Sequence, residues 1–448
     1  MSKVRPISGF PEWLPGERIV EQHFLDVIRE TFELHGFASI QTRAVEPIER
    51  LSSQGEDTDK EIYAISRLAG GAAGATGADE SSRESRLGLH FDLTVPFARY
   101  VLENAGQLTF PFRRYQIQQV WRGERPQEGR FREFTQCDID IVDVGELAPH
   151  YEAELALVIA DAFSKLPIGP FRIQVNNRKI PEGFYLGIGL TDVKAILRIV
   201  DKLDKIGPDR VFDLLIAAGA TTEQARAALA LAEISAPDDS FVGRVQALGV
   251  EHETLTQGLA ELAAVIRVGA EHAPGLVVAD LKVARGLDYY TGTVYETQLI
   301  GLESYGSICS GGRYDALASD GRTTYPGVGI SIGLSRLLAK IMPTLSASRS
   351  TPSCVLVALA DEADRTQVMG VAAVLRRRGI PCEVAPEAAR FGKQIKFAER
   401  RGIPFVWFPA AGGQGSDSVK DIRSGDQAVA DASSWLPPAD DLRPHVVT

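Results

Sequence analysis

The amino-acid sequence predicts an α+β fold, in which a strand-rich core is divided by a helical insertion and followed by a small α/β domain. Strand-like runs of β-branched and aromatic residues cluster between 88 and 142 and return between 289 and 332. The stretch between these clusters is rich in Ala, Leu and Val at helical spacing, and prolines and glycines divide it into short helices. Beyond residue 353, strand and helix patterns alternate, which is typical of a mainly parallel sheet.

These changes of pattern divide the chain into five predicted segments. The core opens with a helix over 17–35, which Gly36 is well placed to end. A Gly/Ala-rich stretch at 69–79 cannot bury enough surface to order itself, so we expect a mobile loop there. The predicted segments are the first part of the core (1–184), the helical insertion (185–278), the second part of the core (279–345), a Ser/Pro-rich linker (346–353) and the C-terminal α/β domain (354–448).

The composition is that of a globular protein, with 44% hydrophobic and 24% charged residues. No apolar run reaches the length of a membrane span, and the N-terminus lacks the apolar centre of a signal peptide. We therefore expect a cytoplasmic protein with no membrane partner. The four cysteines are scattered without a C-x-x-C pair, so neither a metal site nor a disulfide framework is expected.

The formal net charge of -11 argues against indiscriminate nucleic-acid binding. One basic cluster nevertheless stands out near the C-terminus, where only three glutamates oppose its charge. A phosphate-binding surface is one interpretation, and a solvated helix face is the other. The basic cluster consists of Arg376, Arg377, Arg378, Arg390, Lys393, Lys396, Arg400 and Arg401.

The segment 121–136 is the first candidate for chemistry, because it places several arginines and phenylalanines between two strand-like runs. The pattern predicts an antiparallel hairpin with a polar loop. Arginine suits phosphate, since its planar guanidinium makes bidentate, charge-assisted contacts. Phenylalanine offers a flat face on which a purine base can stack. The alternative is a solvated, salt-bridged hairpin tip.

Two segments combine glycine with arginine and tyrosine. In 283–296, Arg285 precedes a run of tyrosines, which suggests a cation beside a phenol-lined pocket. An ordinary strand with an aromatic core is the alternative. In 309–315, adjacent glycines permit close approach of the backbone to a ligand, although a plain tight turn has the same pattern.

Two further segments place polar groups beside strands. In 327–338, glycines clear space for a flat ligand and Arg336 follows in the first turn of a helix; a Gly-rich core strand is the alternative. Neither G-x-G-x-x-G spacing nor a Walker lysine is present in this segment, so it predicts no dinucleotide fold and no P-loop. In 90–100, a strand is expected to present Asp92 and Thr94 on one face, unless Asp92 is a structural turn residue.

Taken in chain order, these segments resemble histidyl-tRNA synthetases, which are class II aminoacyl-tRNA synthetases. The hairpin resembles motif 2 of that class, and 327–336 resembles motif 3. The runs R-G-L-D-Y-Y-T-G and S-G-G-R-Y-D resemble the two histidine-specific signatures, and D-L-T-V-P-F-A-R-Y matches the branch with D-L-T where another has P-E-G-T. G-K-Q-I-K-F-A-E-R-R-G-I-P-F and V-K-D-I-R-S-G-D-Q resemble the anticodon-binding domain, so the resemblance covers nearly the whole chain.

The resemblance implies ATP as a substrate and assigns its parts to five residues. Arg122 is expected at the α-phosphate, Glu124 near the adenine amino group and Phe134 under the adenine ring. Arg130 is expected at the β- and γ-phosphates, and Arg336 at the γ end.

The resemblance also implies an L-histidine site and two catalytic arginines. Arg285 is expected against the α-phosphate opposite Arg122, where fixed positive charge stabilises a pentacoordinate transition state. The implied histidine-binding residues are Asp92, Thr94 and Gln136 for the ammonium and carboxylate region, Tyr290, Tyr314 and Asp140 for the imidazole, and Arg285.

The implied reaction is ligation of L-histidine to tRNA(His) through a histidyl-adenylate. The histidine carboxylate attacks the α-phosphorus in line, Mg2+ neutralises the pyrophosphate, and no protein general base is needed. The family's six-stranded antiparallel catalytic sheet, and a homodimer built partly on motif 1 at about 32–47, are expected as well. The insertion is expected at the acceptor arm and the basic cluster at the anticodon stem.

Three positions depart from the family's usual pattern. Ser335 stands where an acid often precedes the motif 3 arginine, which affects a local salt bridge. Gly123 stands where a bulkier residue is usual, and Glu128 where a basic or neutral one is usual. Both of these affect how the motif 2 loop meets tRNA.

Two alternatives to an enzyme share the same core. The synthetase-like regulatory subunit of ATP phosphoribosyltransferase characteristically lacks the C-terminal domain and the R-G-L-D-Y-Y arginine, and this sequence keeps both. A sensor of histidine or uncharged tRNA does not need Arg122, Arg285 and Arg336 to hold a triphosphate.

Overall fold

The computed structural model describes residues 5–52, 61–66, 86–283, 289–410, 412 and 414–448. The predicted mobile loop at 69–79 and the predicted catalytic residue Arg285 lie outside these residues. The chain divides into two compact units. The first comprises Met1–Pro11 and Val27–Lys340, and the second comprises Glu12–Asp26 and Ile341–Thr448.

The first unit is built on one large sheet. Nine strands lie in the order β1-β5-β6-β12-β11-β10-β7-β9-β8, and the six from β5 to β7 are antiparallel. At the two sides, β1 pairs with β5 and β9 pairs with β7 in parallel. The strands of this unit are β1 (Ala38–Ser39), β2 (Val45–Pro47), β3 (Ala64–Ile65), β4 (Leu87–Leu89), β5 (Phe112–Trp121), β6 (Glu133–Val142), β7 (Phe171–Asn177), β8 (Ser235–Ala236), β9 (Val277–Asp280), β10 (Thr293–Leu299), β11 (Cys309–Tyr314) and β12 (Gly327–Gly333).

Helices accompany this sheet, which confirms the predicted α+β class. In α1, Phe24, Ile28 and Phe32 recur every four residues and are fully buried, and Gly36 follows the helix with φ of 77°. The helices up to residue 341 are α1 (Pro15–Leu34), α2 (Ile48–Leu51), α3 (Thr94–Asn104), α4 (His150–Ser164), α5 (Lys179–Gly187), α6 (Val193–Val200), α7 (Leu203–Ile206), α8 (Pro208–Ala217), α9 (Thr222–Ala232), α10 (Ser240–Gln246), α11 (Glu253–His272) and α12 (Leu334–Ile341).

The prediction that one strand presents Asp92 and Thr94 on the same face is wrong. Strand β4 ends at Leu89, and Thr94 is the first residue of α3. The physical reason is that the Val95 N–H donates to Asp92 Oδ1 at 3.2 Å, because a carboxylate satisfies a free amide at a helix start. Pro96 is also tolerated in the first turn of a helix. The two residues are brought together by a helix N-terminus instead.

The second unit has its own sheet, in the order β15-β14-β16-β17-β18. Strand β14 is parallel to β15 and to β16, as predicted, but β16, β17 and β18 are antiparallel. The mainly parallel prediction is wrong for this half, because the short connection after β17 allows only a hairpin. The elements are β13 (Ser346–Ala347), β14 (Val355–Val357), α13 (Arg365–Arg377), β15 (Cys382–Val384), α14 (Phe391–Arg401), β16 (Phe405–Phe408), β17 (Ser418–Asp421), β18 (Gln427–Val429), α15 (Ala439–Leu442) and β19 (Val446–Val447).

Candidate active site

A row of polar side chains crosses the six antiparallel strands at a single register. Direct cross-strand pairs connect each of its members to the next. Because side chains on directly opposite residues share one face of a sheet, the row is a continuous polar strip on that face. We call it the floor row, and it consists of Gln116, Asp138, Ser331, Ser310, Glu296 and Gln174.

A cavity of about 490 Å³ lies against this floor row, and Asp138, Ser331, Ser310 and Glu296 line it. Most of the residues predicted for ATP and histidine line the same cavity. They are Asp92, Thr94, Arg122, Glu124, Arg130, Phe134, Gln136, Tyr290 and Arg336. The structure thus brings together side chains that lie up to 244 positions apart in the sequence, since Asp92 and Arg336 share one cavity.

Asp138 is a lining residue that the sequence analysis did not single out. Its side chain is only 2% exposed, and its Oδ1 has no hydrogen-bond partner within the described part of the chain. Burial raises the pKa of Asp138 to about 7, against the opposing charge of Arg114. The available signal was the alternation in β6, where even-numbered positions from Phe134 to Asp140 are polar or aromatic and odd-numbered ones from Cys137 are apolar.

Asp140, which was predicted to contact the imidazole, is already engaged within the protein. Its Oδ1 accepts a hydrogen bond from Tyr314 Oη at 2.7 Å, and its Oδ2 lies 2.6 Å from Arg114 Nη2. Asp140 and Tyr314 are each 1% exposed and neither lines the cavity. Burial raises the pKa of Asp140 to about 6, while Arg114 and the Tyr314 hydroxyl oppose that rise. Arg114, Asp140 and Tyr314 therefore form a buried support beside the floor row.

The glycines of β12 make room for the protein's own side chains. A Cβ on Gly329 would lie 2.0 Å from Asp140 Oδ1, and one on Gly327 would lie 2.5 Å from the Tyr314 ring. The prediction that these two glycines clear space for a flat ligand is therefore wrong. At Gly333, which does line the cavity, a Cβ would meet nothing closer than 3.4 Å.

Asp92 and Arg122 stand on the same side of the cavity. Burial raises the pKa of Asp92 to about 6, and the Val95 amide and the Arg122 charge oppose that rise. Arg122 donates from Nε to the Phe91 carbonyl at 3.0 Å, and its guanidinium lies 5.1 Å from the centre of the Phe134 ring. Asp92 therefore supports the start of α3 and also lines the cavity, and its role toward a ligand stays a prediction.

The motif 2 hairpin with Arg122 at its base, the connection between β10 and β11, and the start of α12 form a further boundary of the cavity, which we call the rim. The motif 2 hairpin turns tightly at its tip, where Gln127 and Arg130 exchange backbone hydrogen bonds. Arg130 lies 3.4 Å from Glu124 and is 46% exposed, so its guanidinium can reach a ligand. Arg336, in the first turn of α12, donates to the Gly129 carbonyl at 3.3 Å and so connects motif 3 to the hairpin.

Each of the three departures from the family pattern makes a specific contact. The Ser335 hydroxyl accepts from the Thr135 amide at 2.9 Å, so a neutral hydrogen bond stands where a salt bridge is usual. The Gly123 amide donates to the Glu61 carbonyl at 2.7 Å. Glu128 accepts from Lys340 at 3.2 Å.

The predicted basic cluster of the second unit is only partly available to a ligand. Arg376 donates to the Cys382 carbonyl at 2.9 Å, and Arg378 donates to the Ala432 and Trp435 carbonyls. These contacts stabilise the unit itself. Exposed positions of the cluster include Arg377, Arg390, Lys396 and Arg400.

Known proteins provide an independent comparison with this site. A sequence profile of the family described as Histidyl-tRNA synthetase matches residues 9–337. The chain belongs to the histidyl-tRNA synthetase family. The matched residues include the motif 2 hairpin, the floor row and Arg336 of motif 3.

Relatives of this family member extend the match over its whole length. It is 60% identical to the histidine–tRNA ligase of Micrococcus luteus, with 100% of this chain and 99% of the relative covered. It is 58% identical to the histidine–tRNA ligase of Cutibacterium acnes, again with 100% of this chain and 99% of the relative covered. The solved histidyl-tRNA synthetase from Nostoc sp. PCC 7120 superposes with a TM-score of 0.83 at 35% identity, covering 96% of this chain and 97% of that one.

A more distant neighbour shows the fold alone. The structure described as an ATP phosphoribosyltransferase regulatory subunit/histidyl-tRNA synthetase from Bacillus halodurans C has a TM-score of 0.71 at 17% identity, and covers 88% of this chain. Within the described residues, no helix is long and apolar enough to cross a membrane.

Proposed function

We propose that this histidyl-tRNA synthetase family member is a histidine–tRNA ligase, which activates L-histidine with ATP and transfers it to tRNA(His). One observation carries the proposal. The chain matches histidine–tRNA ligases over 99% of their length, and the motif residues that the family uses converge on one cavity. The regulatory alternative is not favoured, because the match to these ligases includes the C-terminal unit.

The rim is the proposed site of ATP. Phe134 presents its ring to the cavity for the adenine, with Glu124 near the base amino group. Arg122 lies within reach of the α-phosphate, and Arg130 and Arg336 serve the β- and γ-phosphates. The long guanidinium side chains suit this task because each makes bidentate contacts with phosphate oxygens.

The floor is the proposed site of histidine. Asp92, Thr94 and Gln136 receive the ammonium and carboxylate region, and Tyr290 packs against the imidazole. We assign the direct imidazole contact to Asp138, because the residue lines the cavity and its buried Oδ1 has no hydrogen-bond partner in the described chain. Asp140 and Tyr314 act behind it, since both oxygens of Asp140 are already bound.

Three buried carboxyl groups line the cavity, and they belong to Asp92, Asp138 and Glu296. Arg114, which is also buried, pairs with Asp140. A ligand with an ammonium group and an imidazole N–H offers hydrogen-bond donors to buried carboxyl groups, whereas an apolar ligand offers none. This supports histidine and disfavours an apolar side chain of similar size.

The proposed reaction proceeds by positioning and charge. The histidine carboxylate attacks the α-phosphorus, the bond to the bridging oxygen breaks, and pyrophosphate leaves. Arg122 stabilises the charge that develops on the α-phosphate, together with Arg285, whose role rests on the family resemblance. The adenylate carbonyl is then attacked by the tRNA 3′-terminal hydroxyl, which releases AMP.

Magnesium is proposed to arrive on the triphosphate. Within the described residues no group of three His, Cys, Asp or Glu side chains could hold a metal ion. Mg2+ usually binds through substrate phosphates and water with only one or two carboxylates, so the β- and γ-phosphates beside Arg130 and Arg336 would supply most of its ligands. When bound, it would neutralise charge on the leaving pyrophosphate.

The tRNA, the oligomeric state and the location belong to the same proposal. Exposed members of the basic cluster are suited to the phosphates of the anticodon stem. A homodimer through motif 1 and a cytoplasmic location follow from the family resemblance.

The decisive experiment is amino-acid-dependent ATP–pyrophosphate exchange. We expect exchange with histidine and with none of the other standard amino acids. Arg122→Ala and Arg285→Ala are expected to lower it by roughly 100-fold or more, as for the loss of one charge contact in a transition state. Arg210→Ala is the matched control, because Arg210 is exposed on α8, lies outside the cavity lining and pairs with Asp213 at 4.0 Å.

The outcomes separate the candidate functions. Exchange with histidine, followed by charging of tRNA(His) and not of another tRNA, is the expected result. If the folded protein binds ATP but does not catalyse histidine-dependent ATP–pyrophosphate exchange, the proposed ligase activity is rejected and a regulatory subunit is favoured.

A further inference from the structure

The connection between β10 and β11 contains a short 3₁₀ turn at Glu303–Tyr305. Its tyrosine lies between the two phosphate-binding elements of the rim. The guanidinium of Arg336 stacks over the Tyr305 ring, with its central carbon 4.4 Å from the ring centre. The Tyr305 hydroxyl donates to the Arg336 carbonyl at 2.7 Å. Tyr305 therefore holds both the backbone and the side chain of Arg336.

The same connection supplies main-chain acceptors to Arg336. Its Nε donates to the Ser307 carbonyl at 2.8 Å, and Nη2 donates to the Tyr305 carbonyl. Its Nη1 donates to the carbonyl of Gly129 at 3.3 Å, on the motif 2 hairpin. These acceptors are neutral, so they orient the guanidinium without neutralising its charge. Orientation before binding lowers the entropy that a long side chain loses when it takes a ligand.

The hairpin tip is fitted against the tyrosine. Gly129 has φ of 66°, and a Cβ there would lie 1.7 Å from the Tyr305 hydroxyl oxygen. A larger residue at this position would have to displace either the tip or the ring. Lys340 adds a second link, since its ammonium lies 5.1 Å from the Tyr305 ring centre and 3.2 Å from Glu128 of the tip.

We propose that Tyr305 is a positioning residue that joins the motif 2 tip and the motif 3 arginine into one clamp for the terminal phosphates of ATP. The clamp consists of Gly129, Tyr305 and Arg336. This inference rests on the proposed function, because it assigns Arg336 to the triphosphate. It adds a residue outside the family motifs, and it predicts that the connection between β10 and β11 sets the affinity for ATP and not for histidine.

Variants at Tyr305 test the clamp. Tyr305→Ala removes the ring and the hydroxyl, and is expected to raise the KM for ATP roughly tenfold or more in histidine-dependent exchange. Tyr305→Phe keeps the stacked ring and loses one hydrogen bond, so it should restore most of the affinity, to within roughly threefold of the natural protein. The KM for histidine should stay within about twofold in both.

A comparison of nucleotides locates the effect at the phosphates. Tyr305→Ala should weaken inhibition by α,β-methylene-ATP as strongly as it raises the KM for ATP, and leave inhibition by AMP unchanged. Equal losses for both inhibitors would overturn the clamp, because AMP lacks the phosphates that Arg336 is assigned to hold.

Gly129→Ala tests the contact with the hairpin tip. In the natural protein this change should raise the KM for ATP about as much as Tyr305→Ala does. In a Tyr305→Ala background it should add clearly less than in the natural protein, because the collision with the ring is gone and only the strain of an alanine at the positive φ of Gly129 remains. Additive effects would contradict a direct contact between the tip and Tyr305.

Leu302→Ala is the matched control, since Leu302 lies in the same connection and is 38% exposed without lining the cavity. It should leave both KM values unchanged; a shift as large as that of Tyr305→Ala would make the effect a general loosening and overturn the clamp. Direct binding of α,β-methylene-ATP by calorimetry separates the two claims. Failure of the natural protein to exchange would reject the proposed function, whereas equal analogue binding by the natural protein and Tyr305→Ala would reject the clamp.

Discussion

The floor and the rim of the cavity are built in opposite ways. The floor row is formed by side chains on six strands, and its charged members are at most 6% exposed. The rim is formed by a hairpin tip, a connection between strands and the start of a helix, and its arginines are held largely by main-chain carbonyls, as Arg122 is by Phe91 and Arg336 by Ser307. The floor is therefore fixed by sheet register, whereas the rim is fixed by short connections.

This difference fits the two ligands proposed for the site. Histidine is small, and its recognition needs polar groups at fixed positions in a low-dielectric environment, where a missing partner is costly. A triphosphate is long and highly charged, and arginines on loops can follow it without a precise cavity. Substitutions in the floor should therefore have large effects on the affinity for histidine, whereas substitutions in the rim outside the catalytic Arg122 should have smaller effects on the affinity for ATP.

The largest effect is expected at Arg114, which supports the floor. Arg114→Leu leaves Asp140 as a buried carboxyl without its cation, so the free energy of unfolding should fall by about 3–5 kcal/mol. Arg113→Leu is the matched control on the neighbouring residue of β5. Arg113 is 22% exposed, and its loss should cost about 1 kcal/mol. Urea unfolding measures both, and equal losses would contradict a buried floor support.

The next effect is expected at Asp138. Asp138→Asn keeps the shape and removes the charge, and should raise the KM for histidine roughly 30-fold or more, because a buried charged partner is lost. Asp143→Asn, just beyond the end of β6 and outside the cavity, should leave that KM unchanged. If the KM for histidine is unchanged in Asp138→Asn and rises strongly in Asp140→Asn, the assignment is wrong and Asp140 makes the imidazole contact.

Asp138→Asn, which should weaken the binding of histidine, should at the same time make the ligand-free protein more stable at high pH. Burial raises the pKa of Asp138 to about 7, as do the nearby Asp140 and Asp92 carboxylates, whereas Arg114 and the Ser331 hydroxyl lower it. Because the pKa of Asp138 is higher in the folded than in the unfolded protein, the folded state binds this proton more tightly. The resulting contribution to the free energy of unfolding is present at low pH and is lost as the pH rises through about 7. Asp138→Asn should therefore stabilise the ligand-free protein by about 1–2 kcal/mol at pH 8, and much less near pH 4.5. Thermal unfolding at the two pH values measures this difference, and a destabilised variant at pH 8 would contradict it.

The smallest effect is expected at Lys340 in the rim. Its partner Glu128 is 72% exposed, so the ion pair is worth little in water. Lys340→Met should change the free energy of unfolding by less than about 0.5 kcal/mol and the KM for ATP by less than about threefold. Repeating the kinetics at high salt should remove any remaining difference. A loss as large as that at Asp138 would end the distinction between floor and rim.

Elements with a regular local pattern were predicted closely from the sequence. Helix α1 occupies Pro15–Leu34 where a helix over 17–35 was expected, and Arg336 lies in the first turn of α12 as expected, because helical periodicity is a local property. The predicted ATP residues Arg122 and Phe134 share one hairpin, and the structure places them in the same cavity.

The floor row lay beyond sequence reasoning, because it depends on strand order. Asp138 faces Ser331 only because β6 and β12 are neighbours in a particular register, although 193 positions separate them in the chain. The purpose of the β12 glycines was misjudged for the same reason, since Asp140 on the next strand fills the space above Gly329. Asp92 and Thr94 were misplaced because a side-chain hydrogen bond to the Val95 amide starts a helix where a strand was expected.

The most direct test of the division between floor and rim is a crossed measurement of both KM values in Asp138→Asn and Tyr305→Ala. The KM for histidine should rise only in Asp138→Asn, and the KM for ATP only in Tyr305→Ala. If each variant instead raises both values by the same factor, the two parts of the cavity act as one, and the separate assignment of histidine to the floor and the triphosphate to the rim is wrong.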